Sequence, residues 1–205
     1  MLPMDPTNPV LCLASVSPRR RELLAQIGVP HVVVGADIDE TFLPGETPSN
    51  YVTRLAREKA VAIRRTGQRL PVLAADTTVV VDGKVFGKPH DQAQAADMLG
   101  ELSGRAHQVL TAVALADSQG VAARLSSSTV FFRKVSREES LAYWETGEPR
   151  DKAGGYAIQG LGAVFIESLS GSYSGVMGLP LFETAELLRA AGIAYWRLGR
   201  SGERA

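Results

Sequence analysis

The sequence predicts an α/β protein, on three observations. Short apolar runs such as Val10–Ala14 and Leu70–Val81, the second rich in β-branched residues, read as buried strands. Between them lie longer stretches with apolar residues at helical spacing, as Val52, Leu55, Ala56, Ala60 and Ile63 are. Strand ends then run into helix starts or Gly-rich loops, which bring polar side chains toward one cleft.

At 205 residues the chain suffices for one substantial core or two small, intimately packed lobes, and no Pro/Gly/Ser-rich linker divides it. We expect a single domain over 10–198, an N-terminal extension over 1–9 and a flexible tail over 199–205. Acidic and basic residues balance at 22 each, so the molecule as a whole attracts neither nucleic acid nor an anionic membrane. Anion recognition must come from locally clustered Arg and Lys. The only cysteine, Cys12, excludes an intramolecular disulfide and any multi-cysteine metal site. The start of the chain has no basic region followed by an apolar core, and no apolar run approaches membrane-spanning length, so a cytoplasmic protein is expected.

Val10–Ala14 is read as a strand turning into a helix, with Ser17 as N-cap and Pro18 at the first helical position. Free backbone N–H groups there, together with Arg19, Arg20 and Arg21, make an anion site. Basic side chains are disfavoured at a helix N-terminus, so a run of Arg at that point favours phosphate binding over a merely solvated turn. The spacing does not decide which of them faces inward, although Arg19 is nearest the turn.

A short strand follows from His31 to Val34 and leads into the acidic turn Asp37-Ile38-Asp39-Glu40, where a carboxylate returning to the cleft could hold a divalent cation. Thr47-Pro48 starts a helix to about Thr66; its Lys59 is flanked by Ala60 and Val61 near the apolar seam and is a candidate phosphate-directed cation. The run 70–81 carries Asp76 in its middle. A carboxylate in such a strand demands cations, a metal or hydrogen bonds; the alternative is an Asp that ends the strand and begins a turn.

Asp82-Gly83-Lys84 is a hairpin turn, and Val85-Phe86 delivers Gly87-Lys88-Pro89 close to Asp76. Asp91 to Leu102 reads as a helix. His107–Leu115 and Ser127–Val135 read as long strands joined near Gly120; His107 could be a base or ligand, but with no other His or Cys near it in sequence a hydrogen-bonded structural role is favoured. Ser136 and Glu139 form a capping box that starts a helix to about Thr146. The stretch Asp151–Gly162 holds four glycines, and the Gln159 amide offers both a donor and an acceptor to a nucleobase edge. A loop from Gly171 to Gly178 precedes a last amphipathic helix, Leu181 to Ala191.

Taken in order, Ser15-Val16-Ser17-Pro18-Arg19-Arg20, Arg57-Glu58-Lys59-Ala60, Ala75-Asp76-Thr77, Gly87-Lys88-Pro89, Ser103-Gly104-Arg105-Ala106-His107, Asp151–Gly160 and Gly178-Leu179-Pro180 resemble the Maf (septum-formation inhibitor-like) family. The likeness spans about Leu11 to Gly192 and is similar to the bacterial branch that cleaves dTTP and UTP to the monophosphate and pyrophosphate. It implies an α/β fold related to the inosine triphosphate pyrophosphatases, a mixed twisted sheet with flanking helices forming two lobes around a central cleft. It implies Asp76 as proton acceptor, Arg19, Thr77 and Gln159 as selectivity positions, and Ser17, Glu40, Lys59 and Lys88 as pocket residues. Mg²⁺ or Mn²⁺ shared by Glu40 and Asp76 is the expected cofactor, with Asp76 base, ligand or both. The implied partners are a nucleoside triphosphate and, as for relatives, a second copy in a homodimer; nucleic acid and membrane are not expected. House-cleaning of modified pyrimidine nucleotides and a part in cell-division arrest are further implications. The competing reading is a non-catalytic nucleotide-binding regulator of septum formation. Ser174-Gly175-Val176-Met177 departs from the family's Ser-Asn-Val-Val form, which questions any role for a side chain at Gly175.

Overall fold

Seven strands form one mixed sheet in a computed structural model that describes residues 8–196. The expected extension and tail therefore lie outside the described residues, positions 8 and 9 excepted. Leu11–Leu13 (β1), His31–Val33 (β2) and Val72–Val81 (β3) run parallel in the order β2-β1-β3. Lys84–Phe86 (β4), Ala106–Ala116 (β5), Val121–Phe132 (β6) and Ile166–Ser170 (β7) join antiparallel, β5, β6 and β7 in succession beyond β3.

The strand β3 belongs to both halves of this sheet. One edge pairs with β5 from Val72 to Val80. The other edge is shared: Val72 and Leu73 pair with β1, whereas Val79, Val80 and Val81 pair with β4. Among the described residues no strand pairs with the intervening Ala74–Thr78 on that edge, so the sheet forks there. Asp76 and Thr77 lie at the fork.

Alternation then sorts the side chains of β3. On one face Val72, Ala74 and Val80 pack with Val52, Ala56, Ala60 and Ile63 of helix Pro48–Arg65 (α2). The other face carries two clusters. Leu73 and Ala75 join Leu23 and Leu24 of helix Pro18–Gln26 (α1). Val79 and Val81 join Met98, Leu99 and Leu102 of helix Gln92–Leu102 (α3) and Tyr143 of helix Arg137–Glu145 (α4). Thr77 falls between these two clusters, and Asp76 points toward α2.

Most helix signals act as expected. Thr47 caps α2 by accepting from the Asn50 N–H, Asp91 caps α3 by accepting from the Gln94 N–H, and the Ser136–Glu139 capping box is complete. Ser17 stands at the N-cap of α1, but its side chain makes no capping hydrogen bond. Two boundaries differ from expectation. The strand β6 begins at Val121, ahead of Ser127, because its half-polar first part is zipped to β5 through the Ala116–Val121 pair beside the Gly120 turn. The Gly171–Gly178 loop contains a short helix, Tyr173–Met177 (α5), capped by Ser172 and ended by Gly178 at φ 116°. The last helix, Leu181–Ala190 (α6), packs Leu187 and Leu188 into the α1 cluster.

Candidate active site

A cleft of about 1610 Å³ opens at the fork of the sheet, and Ser17, Arg19, Glu40, Lys59, Asp76, Thr77, Lys88 and Gln159 all line it. Its core is an ionic triad. The Lys59 ammonium donates to Asp76 Oδ1 at 2.6 Å and lies 2.6 Å from Glu40 Oε1. The heptad-like stripe that buries Ala56, Ala60 and Ile63 also turns Lys59 inward, onto the face of β3 from which Asp76 projects. Asp76 and Lys59 are buried whereas Glu40 is exposed. Burial pushes the Asp76 carboxyl above the usual carboxylate range, and the nearby Lys59 and Arg20 cations offset only part of that rise.

The acidic loop reaches this point because α2 holds it. Tyr51 Oη donates to the Glu40 carbonyl at 3.0 Å, and Arg54 donates to the Thr41 carbonyl at 3.0 Å while it pairs with Glu46 at 2.8 Å. Asp39, also in the cleft lining, is engaged by its own loop, accepting from the Thr41 N–H and hydroxyl.

On the other face of β3 stands a residue whose orientation the sequence left open. Arg20, rather than Arg19, is the arginine drawn into the protein. Its Nε donates to the Gly178 carbonyl at 2.8 Å, and its terminal nitrogens reach Ser15 Oγ at 3.4 Å and Thr77 Oγ1 at 3.2 Å. Burial lowers its pKa from the ordinary arginine value, with Asp76 acting in the opposite sense. The Thr77 hydroxyl also lies 3.1 Å from Thr111 Oγ1, which donates to the Gly175 carbonyl at 2.7 Å. The backbone of Gly175 thus takes part without any side chain. The Thr77 hydroxyl, at the cleft lining, is thus tied to both Arg20 and Thr111.

The remaining candidates form the walls. Arg19 projects from the start of α1; burial lowers its pKa, and the carboxylates of Asp151 and Glu148 counteract this. Lys88 is exposed in the loop after β4, which the Gly154 N–H ties down by donating to the Gly87 carbonyl at 3.0 Å. Gln159 is exposed on the loop opposite. His107 lies outside the cleft lining, buried, with Nε2 2.8 Å from Tyr156 Oη and Phe132 edge-on. Arg20, Ser15, Tyr51 and Gly178 were not singled out by sequence reasoning as site residues in their own right. The Arg run and the Gly178-Leu179-Pro180 motif were the signals for Arg20 and Gly178.

Two oxygen-donor carboxylates, Glu40 and Asp76, converge on one point, a donor set that suits a hard divalent cation whose other ligands are phosphate oxygens and water. Among the described residues no group of three or more His, Cys, Asp and Glu could hold a metal. No helix is long and apolar enough to cross a membrane among the same residues.

Comparison with known proteins bears on what this cleft serves. A protein named dTTP/UTP pyrophosphatase from Methylobacillus flagellatus is 54% identical over 193 residues, covering 93% of this chain and 97% of its own. One of the same name from Saccharophagus degradans is 53% identical over 191 residues, covering 91% of each chain. Among solved structures, the Staphylococcus aureus Ham1 protein covers 88% of this chain and 96% of its own at 14% identity and a TM-score of 0.45, too remote to add to the fold described above. The family model described as Maf-like protein matches residues 10–191, and the chain belongs to that family.

Proposed function

We propose that this chain hydrolyses dTTP and UTP to the nucleoside monophosphate and pyrophosphate. The observation that carries the reading is the buried Asp76 at the floor of a cleft whose walls bear Arg19 and Lys88, in a chain about half identical to relatives named for that activity. A cleft of 1610 Å³ exceeds the roughly 300–1,000 Å³ of ordinary small-molecule pockets and suits a substrate with a base, a sugar and a phosphate chain.

Water attacks the α-phosphorus in line with the departing pyrophosphate, so the protein must take a proton and spread negative charge. Asp76 is the base: its raised pKa makes it a better proton acceptor than a solvated carboxylate. Lys59 holds it in place and keeps it ionised until the water is bound. The uncapped start of α1 leaves backbone N–H groups for phosphate oxygens, beside Arg19. Lys88, on the loop after β4, adds a second cation to the lining. Arg20, which also lines the cleft, braces the site by fixing Thr77 on β3 to the Gly178 turn.

Glu40 and Asp76 would hold Mg²⁺ or Mn²⁺, which neutralises phosphate charge when bound. We read Gln159, an exposed amide on the far wall, as the group that recognises the pyrimidine edge.

The test is a panel of nucleoside triphosphates with each metal, resolving the products. dTMP or UMP with pyrophosphate is expected. Diphosphate with orthophosphate would overturn attack at the α-phosphorus, and turnover of no nucleotide would favour a binding regulator instead.

A further inference from the structure

The loop that carries Gln159 is an arch with both feet fastened to one Tyr–Glu pair. At the first foot the Ala157 N–H donates to Tyr143 Oη at 3.2 Å. At the second foot the Leu161 N–H donates to Glu148 Oε2 at 3.0 Å and the Gly162 N–H donates to Glu148 Oε1 at 2.9 Å. Tyr143 Oη closes the circuit by donating to Glu148 Oε1 at 2.5 Å. A carboxylate that accepts a phenol and backbone amides together is a charge-assisted, directional anchor.

The glycines of the arch are what let the anchor close. A Cβ on Gly160 would sit 2.0 Å from Glu148 Oε2, and one on Gly162 would sit 2.6 Å from Tyr143 Oη. Tyr143 is itself locked, edge-on to Phe165 at 5.1 Å in the core cluster above β3. Ala157 and Ile158 are buried, yet Gln159 between the feet is exposed and, among the described residues, its amide has no protein partner. Neither Glu148 nor Tyr143 lines the cleft. They act through Gln159, and the charge of the Glu148 carboxylate also holds the Arg19 pKa up against burial.

We propose that Glu148 and Tyr143 are positioning residues for base selectivity: they hold the unpartnered Gln159 amide at a fixed height over the cleft. This rests on the reading that Gln159 contacts the base. A preorganised amide discriminates between pyrimidines because a misplaced or unpaired donor loses its bond to the correct edge. Loosening the arch therefore raises KM and erodes selectivity while the chemical step at Asp76 stays in register.

The experiment compares full-length Glu148→Ala, Tyr143→Phe, Gln159→Ala and the Glu148→Ala/Gln159→Ala double variant. It measures kcat and KM for dTTP and dCTP, and amide hydrogen exchange over 157–162. Glu148→Ala is expected to raise KM for dTTP roughly tenfold, with kcat falling less than about threefold, and to cut the dTTP preference over dCTP by about tenfold. The Leu161 and Gly162 amides should exchange faster. The double variant should be no less selective than Gln159→Ala. Tyr143→Phe, which removes one hydroxyl, should move the preference in the same direction and decides the matter should Glu148→Ala not fold. An unchanged dTTP preference in Glu148→Ala or Tyr143→Phe, beside a reduced one in Gln159→Ala, overturns the arch. Losses that multiply in the double variant overturn it too. A Gln159→Ala protein with its preference intact overturns the base reading itself and takes the proposal with it.

Discussion

Burial raises the Asp76 pKa while Lys59 and Arg20 pull it down, and that conflict sets what its replacement does. Asp76→Asn removes the buried charge while its amide oxygen still accepts from Lys59, which keeps Glu40 as counterion. We expect pyrophosphate release to fall by about 10²–10⁴-fold while the melting temperature stays level or rises. A clear drop in melting temperature would mean that the triad serves stability first. His107 poses the opposite case, a group held neutral. Burial lowers its pKa from 6.5 to about 4, so the unfolded chain binds this proton first and stability declines as pH falls from 6.5 to about 4. The loss amounts to about 3 kcal/mol once the pH is below both values. Urea denaturation between neutral pH and pH near 4 should show that slope in the wild type and a shallower one in His107→Gln. At this scale the sequence was partly legible. Asp76 and Lys59 stood out as charges set among apolar neighbours. The choice of Arg20 over Arg19 did not, because adjacent positions at a helix start differ by a rotation that only packing against β3 and Gly178 fixes. Glu148 gave no signal in the sequence, since apart from Tyr143 its partners are backbone amides that no side-chain pattern reveals.

The elements that frame the site are held by a few tight approaches. Gly154 adopts φ 71°, and a Cβ there would lie 2.9 Å from a Val79 methyl. Gly154→Ala should cost about 1–3 kcal/mol in chemical denaturation, from strained backbone and an overfilled core. It should also raise KM for the nucleotide, because the Gly154 N–H anchors the loop that carries Lys88. Unchanged stability would show that the loop relaxes freely. Helices with caps and a clear apolar stripe, such as α2 and α3, were readable in the sequence. The short helix Tyr173–Met177 was not, since five residues with an internal glycine give no period to detect. The first part of β6 escaped for another reason: its pairing with β5 depends on the register of backbone groups rather than on a run of apolar side chains.

For the molecule as a whole, the cleft joins segments far apart in sequence, so a ligand that fills it should brace them all. A dTTP analogue with a non-hydrolysable α–β bridge, at about 100 times its Kd, should add about 2.7 kcal/mol to stability in thermal or urea unfolding, and Asp76→Asn should keep most of that gain. No stabilisation at concentrations that saturate related pyrophosphatases would mean that the folded chain does not bind the nucleotide. The α/β class and the gathering of cations around Asp76 followed from sequence patterns, whereas the fork in the sheet did not, because one strand with different partners along its edge looks like any other long strand. The bond from Arg20 to Gly178 spans 158 positions of the chain. Such a contact closes late, since the entropy of bringing distant segments together must be met before it forms. In refolding from urea, far-UV circular dichroism should therefore return before pyrophosphatase turnover does. Enzymatic turnover becomes a clock for the last step of assembly, one that starts only when the first helix and the Gly178 turn have met.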